Sequence, residues 1–396
     1  MAAPYTDTTA FAGLIQTAYD RYVEFALRSQ PMIRSVADKR PAQQAMPGST
    51  VVFSLYNDLT AASSPLAETT DPTAVTLSDV TPVTVTLTEY GNAALATRKL
   101  QLFSLSDVDP AIADILAFNM ADSIDKIAVA KLVSGTNVLY SGSTATSTVT
   151  VTAASGFQLS GANIRKTVSK LRTGKAVPRE GALYWTGIHP EVSHDLRTES
   201  GSIGWRDVHA QTDSGQGNIW AGTIGTYEGA FFVETPRMYT AKDGADQTAL
   251  ATTTVTVAGV ATTGYTFGVA SSAVIATRAE VGDKISGTGV GTSAKITEIT
   301  TSGSTTTFTV DVANSAAVTV TTVITVTPVT RVYRTIVCGK QAMAEAVAEE
   351  PHVVIGPVVD KLMRFRPIGW YGVLGFSLYR EAALYRIESS SSIGAL

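Results

Sequence analysis

The sequence predicts a mixed α+β fold that carries an inserted all-β domain, and three observations lead to this prediction. Helical and strand-like periodicities alternate before residue 241 and again after residue 330. The longest helical pattern opens at Asp109-Pro110, and strand-like runs lie on both sides of it. Between residues 241 and 330, Thr, Val, Ala, Gly and Ser dominate short strand patterns.

Composition favours a protein of several lobes that is covered by neighbours. A chain of 396 residues is longer than one ordinary core requires, and it suggests two or three lobes. The formal charge of −4 and the pI near 5.7 exclude the strongly basic footprint of a dedicated nucleic-acid-binding protein. Only 16% of residues are charged and the mean hydropathy is +0.15, which is typical of a chain whose exposed apolar patches become buried in an assembly.

The single cysteine and the N-terminal sequence bear on disulfide formation, secretion and membrane insertion. Cys338 cannot form an intrachain disulfide, and its strand-like context favours a small buried apolar side chain over a nucleophile. The N-terminus lacks a basic segment followed by an apolar run, and no stretch approaches 18 uninterrupted apolar residues. The sequence predicts neither secretion nor a membrane span, and we expect no clipped scaffolding segment.

The first 105 residues predict a helix followed by a long two-stranded arm. Apolar residues at helical spacing from Thr9 to Ser29 predict an amphipathic helix that Pro31 ends. The runs VVFSLY and TPVTVTLTEYGNAALATRKLQL then alternate as strands do, with an Ala, Ser, Thr and Pro tract between Asn57 and Ser78. Because two strands have no core of their own, we expect this arm to lie on another surface.

The central third predicts three helices among short strands. Asp109 as N-cap and Pro110 at the first helical position open a helix that ends near Gly135, about 37 Å long. A Ser/Thr-rich strand pair is predicted around 138–151, and a helix over 160–172. The run ALYWTGIHPEVSHDLRTE then predicts a buried strand that leads into a short helix.

The Thr-rich block at 241–330 predicts a small β-sandwich or barrel. The flanking runs GAFFVETPRMY and RVYRTIVCGK resemble core strands, so we interpret the block as a domain inserted between two adjacent strands of a host sheet. The insert could face outward, contact a neighbouring copy or bind a decoration protein. Its low charge favours contact over free display.

Three motifs that resemble catalytic or ligand sites have structural interpretations. His189 and His194 in HPEVSH are five residues apart, whereas a zinc-binding HExxH helix needs a spacing of four. Gly287, Gly289 and Gly291 lack the GxGxxG spacing and precede β-like sequence, which indicates turn glycines. The glutamates of AMAEAVAEEPH are predicted on the solvated or interface side of a short helix, without a nearby nucleophile or metal set.

The last third of the chain carries a family resemblance. The run YRTIVCGKQAMAEAVAEE from Tyr333, followed by HVVIGPVVDKLMRFRPIGWYGVLGFSLYREAALYRIES, resembles the C-terminal signature of tailed-phage major capsid proteins of the phage N4-type branch. Six residues match the pattern of that family's axial domain: Gly225, Tyr227, Glu228, Gly229, Thr235 and Pro236. An extended arm before a long helix is also the order of elements in the HK97-type capsid fold.

The resemblance implies an HK97-like division of the chain. Its expected parts are an N-terminal arm with the amphipathic helix at 1–47, an extended β-hairpin loop at 48–105, a peripheral domain with the spine helix at 106–158, an axial domain at 159–240, the inserted domain at 241–330, and a return to the axial and peripheral domains at 331–396.

The function that the resemblance implies is that of a major capsid protein. Subunits would form pentamers and hexamers of an icosahedral head around double-stranded DNA, in a virion assembled in the host cytoplasm. The implied partners are further copies, a portal, scaffolding or decoration proteins, and packaged DNA bound without sequence specificity at the inner face. No enzyme activity, cofactor, metal or membrane is implied, and Lys99 alone does not support a covalent cross-link between subunits.

We predict eight positions at subunit interfaces: Phe11, Leu14, Tyr22, Val85, Leu87, Arg364, Trp370 and Tyr379. Lys361, Arg364 and Arg366 mix with aromatic residues, which favours intersubunit ion pairs over contact with DNA.

An alternative is a phage or bacterial surface protein with a glycan-binding, adhesive β-domain, for which Tyr265, Phe267 and Phe308 are the aromatic residues available in the insert. A hydrolase is a further alternative. The sequence lacks a nucleophile elbow, a metal set and paired carboxylates in the spacing that a hydrolase requires.

Overall fold

A computed structural model describes residues 31–41, 50–55, 81–99, 108–199, 223–258, 264–357 and 364–393, with single positions between 59 and 68 and at 362. The α-helices are α1 (Val108–Val133), α2 (Gly161–Thr173), α3 (Pro190–Thr198) and α4 (Val274–Arg278). The strands are β1 (Asp38–Pro41), β2 (Thr50–Leu55), β3 (Thr81–Thr86), β4 (Thr88–Thr97), β5 (Val138–Tyr140), β6 (Tyr184–Ile188), β7 (Thr223–Tyr227), β8 (Ala230–Glu234), β9 (Thr240–Asp246), β10 (Thr253–Val257), β11 (Thr266–Ala270), β12 (Lys284–Gly287), β13 (Ile296–Ser302), β14 (Thr305–Val310), β15 (Val323–Thr327), β16 (Val329–Cys338), β17 (Met343–Ile355), β18 (Phe365–Leu378) and β19 (Leu384–Ser389).

The described chain divides into two compact units. The first contains Lys39–Asp125 and Glu345–Gly375. The second contains Ile33–Asp38, Lys126–Ala344 and Phe376–Leu396. The predicted N-terminal helix and the glycine-rich run at 201–222 lie outside the described residues, as does most of the tract at 57–78.

The first unit contains a four-stranded sheet with the order β1-β17-β18-β4 and a separate β2–β3 ribbon. Strands β18 and β4 pair antiparallel over ten residues, from Phe365 opposite Thr97 to Leu374 opposite Thr88. One face of this sheet packs against α1, where Leu116, Ile368 and Trp370 form the buried centre of an apolar cluster. Trp370 Nε1 also donates a hydrogen bond to Asn119 Oδ1 on α1, at 3.0 Å.

The second unit is built around a seven-stranded sheet with the order β5-β19-β16-β6-β8-β7, in which β9 also pairs with β16. Strand β16 lies at its centre and is buried along nearly its whole length. All five residues of β6 are buried as well. Helix α2 contributes Ile164, Val168 and Leu171 to the core, and Ser160 occupies its N-cap position.

The run from Gly225 to Gly229, with the sequence GTYEG, contains the tight turn between β7 and β8. Glu228 and Gly229 both have left-handed backbones, with φ of 51° and 82°, as a two-residue type I′ hairpin requires. The turn places Tyr227 against the start of α2, where a side chain on Gly161 would meet the tyrosine hydroxyl. The motif therefore has a structural role, because it forms the turn and positions Tyr227 against α2.

The Thr-rich insert is a small six-stranded sheet with the order β12-β15-β10-β11-β14-β13. Its two outer strands meet at a bridge between Lys284 and Lys295, supported by the hydrogen bond from Ile285 N to Ala294 O at 2.9 Å. The sheet thus closes into a barrel, one of the two predicted forms. Its interior is filled by Val255, Phe267, Val269, Ile275, Ile285, Val290, Ala294, Ile296, Phe308, Val310, Val318, Ile324 and Val326.

The insert boundaries are narrower than predicted. Strand β9 belongs to the host sheet, because Thr240–Asp246 pairs with β16 from Val329 opposite Asp246 to Tyr333 opposite Thr240. The block lies between two adjacent host strands, but these are β9 and β16, so the predicted pair of flanking strands is wrong. Strand β8, predicted as the flanking strand, is separated from β16 by β6.

Two local predictions are wrong. The glutamates of AMAEAVAEEPH lie on strand β17, not on a helix, because Met343–Ile355 pairs within the four-stranded sheet. The predicted strand pair at 138–151 has only its first strand, β5, which pairs parallel to β19. The second half forms a short 3₁₀ turn at Thr148–Thr150, stabilised by the hydrogen bond from Thr150 Oγ1 to Ser147 O.

We predict that Leu116→Ala destabilises the subunit by about 2–5 kcal/mol, because truncating a buried leucine leaves a cavity. The matched control on the same helix is Ile115→Ala, since 45% of Ile115 is exposed, and we expect a loss below about 1 kcal/mol. Denaturant unfolding of the dissociated subunit measures both values. Equal effects would contradict the described packing of α1.

Candidate functional site

The structure places the eight predicted interface positions in different environments. Phe11, Leu14 and Tyr22 lie outside the described residues. Three of the others are buried within the subunit and one is partly exposed; the buried ones are Val85, Trp370 and Tyr379, and the partly exposed one is Leu87.

Arg364 is the one residue classed as exposed among the described members of this set. Its guanidinium lies 5.3 Å from the centroid of the Phe365 ring. A role at a subunit interface stays a prediction for all eight positions.

The HPEVSH segment caps a helix. His189 is the N-cap residue of α3, and its Nδ1 accepts a hydrogen bond from Glu191 N at 3.3 Å. The Tyr333 hydroxyl donates to the Glu191 carboxylate, and the Tyr333 ring lies 5.1 Å from the His189 ring. Burial lowers the pKa of His189. These contacts join α3 to the central strand β16.

Cys338 is fully buried at the end of β16. Burial raises the pKa of its thiol to about 12, so the thiolate that a nucleophile requires is not formed near neutral pH. The interpretation of Cys338 as a small apolar core residue is confirmed.

A buried carboxylate organises the host sheet of the second unit. Glu388 on β19 has no exposed surface, and its Oε1 lies 3.2 Å from Arg334 Nε and 2.8 Å from Arg386 Nε. Arg334 also pairs with Asp243 on β9, and its guanidinium lies 4.7 Å from the Tyr239 ring centroid.

Arg386 connects this cluster to the C-terminal end of α1. It donates to Val133 O and, at 3.2 Å, to Gly135 O, which are carbonyls at the C-terminal end of α1. A cation at that position is stabilised by the helix dipole. The cluster therefore connects β9, β16, β19 and the end of α1.

A second cluster fixes the insert to the host strands. Asp283 is buried, and its Oδ1 accepts from Lys242 Nζ at 2.6 Å and from Val329 N at 3.1 Å. Its Oδ2 accepts from Glu280 N at 2.9 Å. Because Lys242 belongs to β9 and Val329 to β16, one carboxylate of the insert binds both host strands.

Exposed ion pairs surround this carboxylate. The Glu280 side chain lies 2.9 Å from both Lys242 Nζ and Arg331 Nη2. Lys284 at the start of β12 pairs with Asp246 at the end of β9, at 2.6 Å. We call Lys242, Asp246, Glu280, Asp283, Lys284 and Arg331 the insert junction.

The sequence analysis missed both clusters. A signal for the insert junction was present, because Glu280, Asp283 and Lys284 stand close together in a block that has few charges. Charged residues in such a block have to be solvated or paired, and pairing is the outcome here. Nothing local showed that Glu388 is buried, since its partner Arg334 lies 54 residues away and Arg386, two residues before it on β19, would fit an exposed strand equally well.

Among the described residues, no group of three or more His, Cys, Asp or Glu side chains is placed to hold a metal ion. In the same part of the chain, no helix is long and apolar enough to cross a membrane. In the insert, Phe267 and Phe308 contact each other inside the barrel with ring centroids 6.3 Å apart, so neither can stack on a sugar. Tyr265 is half-exposed.

Solved structures share this fold over nearly the whole chain. The capsid of Ralstonia phage GP4 matches with a TM-score of 0.62 and 13% identity, covering 98% of each chain. The capsid of cyanophage Pam1 matches with a TM-score of 0.58 and 11% identity, covering 99% of this chain and 100% of that one. The acid-stable capsid of Helicobacter pylori bacteriophage KHP30 gives 0.58 and 14%, covering 98% and 99%.

The fold is therefore that of the HK97-like phage capsids, as the sequence predicted. Residues 128–383 match the family model described as phage capsid protein, which is more than half of the chain. The chain belongs to this family of structural proteins of the virion capsid. No curated protein matches it, and its place in the phage N4-type branch stays a prediction.

We predict that Asp283→Asn destabilises the attachment of the insert by about 3 kcal/mol, because the nearly buried Lys242 ammonium loses its buried charged partner and keeps only the half-exposed Glu280. The matched control is Asp246→Asn in the exposed pair with Lys284, for which we expect less than about 1 kcal/mol. Hydrogen exchange measured on peptides from 247–328 reports the difference. Equal protection in the two variants would contradict a structural role for Asp283.

The insert junction also predicts a pH dependence. The hydrogen bond from Lys242, with the charges of Lys242 and Arg331, lowers the pKa of Glu280. A carboxyl whose pKa is depressed by folding stabilises the fold above its unfolded pKa of about 4.3, and this stabilisation is lost as the pH falls through the folded pKa.

We therefore expect Glu280→Gln to be less stable than the wild type at pH 7, with a difference that shrinks below about pH 4. Denaturant midpoints between these pH values measure it on the dissociated subunit. Glu298→Gln, at an exposed position of β13, is the control. A difference that is constant with pH would show that Glu280 acts through packing.

Proposed function

We propose that the chain is a major capsid protein whose subunits assemble into the pentamers and hexamers of an icosahedral phage head around double-stranded DNA. One observation carries this proposal. The match to the phage capsid protein family over 128–383 is accompanied by capsid subunits of nearly equal length that share the fold from end to end. A chain that shares the fold of capsid subunits over nearly its whole given length fits the role of a shell subunit.

The described architecture suits assembly through many small contacts. The β2–β3 ribbon pairs over six residues and has no third strand among the described residues. Phe53 and Val85 are buried within the subunit, whereas 56% of Val52 is exposed, so part of the ribbon is available to a neighbouring subunit. Weak contacts that are repeated around each subunit add up through effective concentration. In this proposal the partners are further copies, a portal, scaffolding or decoration proteins, and packaged DNA at the inner face.

The chemistry of the candidate catalytic groups supports a function without catalysis. His189 caps a helix, and Cys338 is a core residue with a raised pKa. The carboxylate of Glu191 accepts from Tyr333, and that of Asp195 accepts from Ser392. Each of these groups stabilises the folded chain.

The test is to purify the chain and follow its association by light scattering and negative-stain electron microscopy at several salt concentrations. Closed shells, or rings of five or six subunits, are the expected result. A chain that stays monomeric both alone and in a lysate of cells producing the other head proteins would overturn the proposal.

A pair of variants sharpens the test. Leu87→Asp introduces a charge at the partly exposed predicted interface position between β3 and β4, and we expect it to reduce assembly about tenfold or more. Ser169→Asp, at an exposed position of α2, is the matched control. Circular dichroism verifies that both variants are folded. Unchanged assembly of Leu87→Asp would remove this position from the interface.

A further inference from the structure

One ion pair of the insert junction contains the groups of a reactive site. Lys242 Nζ lies 2.6 Å from Asp283 Oδ1, so an amine and a carboxyl group of the same chain are already in contact. A third group, the Glu280 carboxylate, lies 2.9 Å from the same Nζ. An amine, a carboxyl group and a second carboxylate that can move protons between them are the groups that amide formation requires.

The two reacting groups are withdrawn from water. Only 11% of the Lys242 side chain and 1% of the Asp283 side chain are exposed. Burial disfavours the charged forms of both groups, and the transfer of a proton converts the ion pair into a neutral amine and a neutral acid. The neutral forms are the ones that condense with each other. Because the site excludes solvent, it also favours condensation over hydrolysis.

Backbone amides hold the Asp283 carboxyl group for attack. Val329 N donates to its Oδ1 at 3.1 Å, and Glu280 N donates to its Oδ2 at 2.9 Å. Donors on both oxygens polarise the carbonyl, and they stabilise the negative charge that develops on oxygen when a nucleophile adds to the carbon. The carboxyl group of Asp283 is therefore activated as an acceptor.

The amine is held in position as well. The Lys242 stem packs against Gly282, where a side chain would come within 2.9 Å of the Lys242 Cβ. Gly282 has a left-handed backbone, with φ of 97°, and its N donates to Ile296 O at 2.8 Å. Arg331 Nη2 lies 2.9 Å from Glu280 Oε2 and so positions the third group beside the amine. Orientation of this kind removes much of the entropic barrier to a reaction.

We propose that Lys242 and Asp283 form an intramolecular amide bond, with Glu280 as the proton-transfer catalyst. The lone pair of the Lys242 nitrogen forms a bond to Cγ of Asp283, and the bond between Cγ and Oδ1 breaks with its electron pair on the oxygen. Glu280 relays two of the three ammonium protons to this oxygen, which leaves as water. The products are one amide, one water molecule and an unchanged Glu280 carboxylate, so the reaction needs no further reactant.

The bond joins the insert to the host sheet covalently. Lys242 lies on β9 of the host sheet, and Asp283 directly precedes β12 of the barrel. The attachment of the barrel then no longer depends on salt and pH as ion pairs do. The bond lies within one chain, so it is distinct from a cross-link between subunits. The stability predictions above for Asp283 and Glu280 apply to the chain before this reaction.

A second pair in the insert junction shows what is particular to the first. Lys284 Nζ also lies 2.6 Å from a carboxylate oxygen, Oδ1 of Asp246, but these two side chains are 39% and 49% exposed. Water stabilises the charged forms of both groups, so we expect this pair to remain an ion pair. Burial, and not distance alone, separates the reactive pair from the unreactive one.

Mass spectrometry of the denatured full-length chain tests the proposal. We expect the wild type to have lost the mass of one water molecule. Trypsin then fails to cleave after Lys242, and the fragment 238–278 is recovered joined to the fragment that begins at Ala279 and contains Asp283.

Three variants identify the groups that take part. Lys242→Arg keeps the positive charge without the amine, and Asp283→Ala removes the acceptor, so we expect neither to lose water. Glu280→Gln keeps the size of the side chain but cannot relay protons, and we expect it to form the bond at least about a hundredfold more slowly. Asp246→Ala is the matched control, for which we expect the same loss of water as in the wild type. Circular dichroism verifies that each variant is folded.

Two results would overturn the proposal. One is a folded wild-type chain that keeps its full mass. The other is a loss of water that persists in Lys242→Arg, because it would come from another reaction, such as succinimide formation at Asp243-Gly244. An undiminished rate in Glu280→Gln would overturn the role assigned to Glu280. Where a variant does not fold, the tryptic fragments of the wild type decide the proposal by themselves. These outcomes leave the proposed function as it stands, since that function is tested by assembly.

Discussion

Strand β16 is the constraint on which the second unit depends. Its last six residues pair with β19 along one edge, while along the other edge β9 pairs with its first half and β6 with its end. Both edges of β16 are therefore paired, and every residue from Val332 to Cys338 is buried, including the polar Arg334 and Thr335. Burial of that length excludes both a reactive cysteine and a solvent-facing role for this strand.

The one guanidinium in that buried stretch shows how the fold accommodates charge. A buried arginine costs free energy unless it is paired and hydrogen-bonded, and Arg334 has Glu388 and Asp243 as partners. Glu388 in turn attracts Arg386, whose second contact is with the carbonyls at the end of α1. The charges thus specify which strands are neighbours, whereas the apolar residues around them would tolerate several registers.

The sequence predicted some elements correctly and others not. Helices α1 and α2 and the insertion of an all-β domain were predictable, because caps, prolines and periodicity are local signals. Strand β17 was not, since Ala and Glu favour helices and only pairing with β18 and β1 holds MAEAVAEE extended.

The candidate interface positions show a second limit of sequence analysis. An apolar side chain such as Val85 or Trp370 fits a subunit interface and a core equally well by its chemistry, and the structure places both inside the subunit.

The way in which the chain enters and leaves the barrel has an evolutionary consequence. Gln247 N donates to Pro328 O at 2.8 Å, so the two ends of the insert are already neighbours in the host ladder. Joining β9 directly to β16 would need only a short hairpin turn, and the loop-closure entropy of a long insertion at such a point is small. The barrel is therefore a domain that can be removed or exchanged as a unit. Lineages could gain, lose or exchange such a domain there without rebuilding the host sheet, and a foreign domain with adjacent termini could take its place.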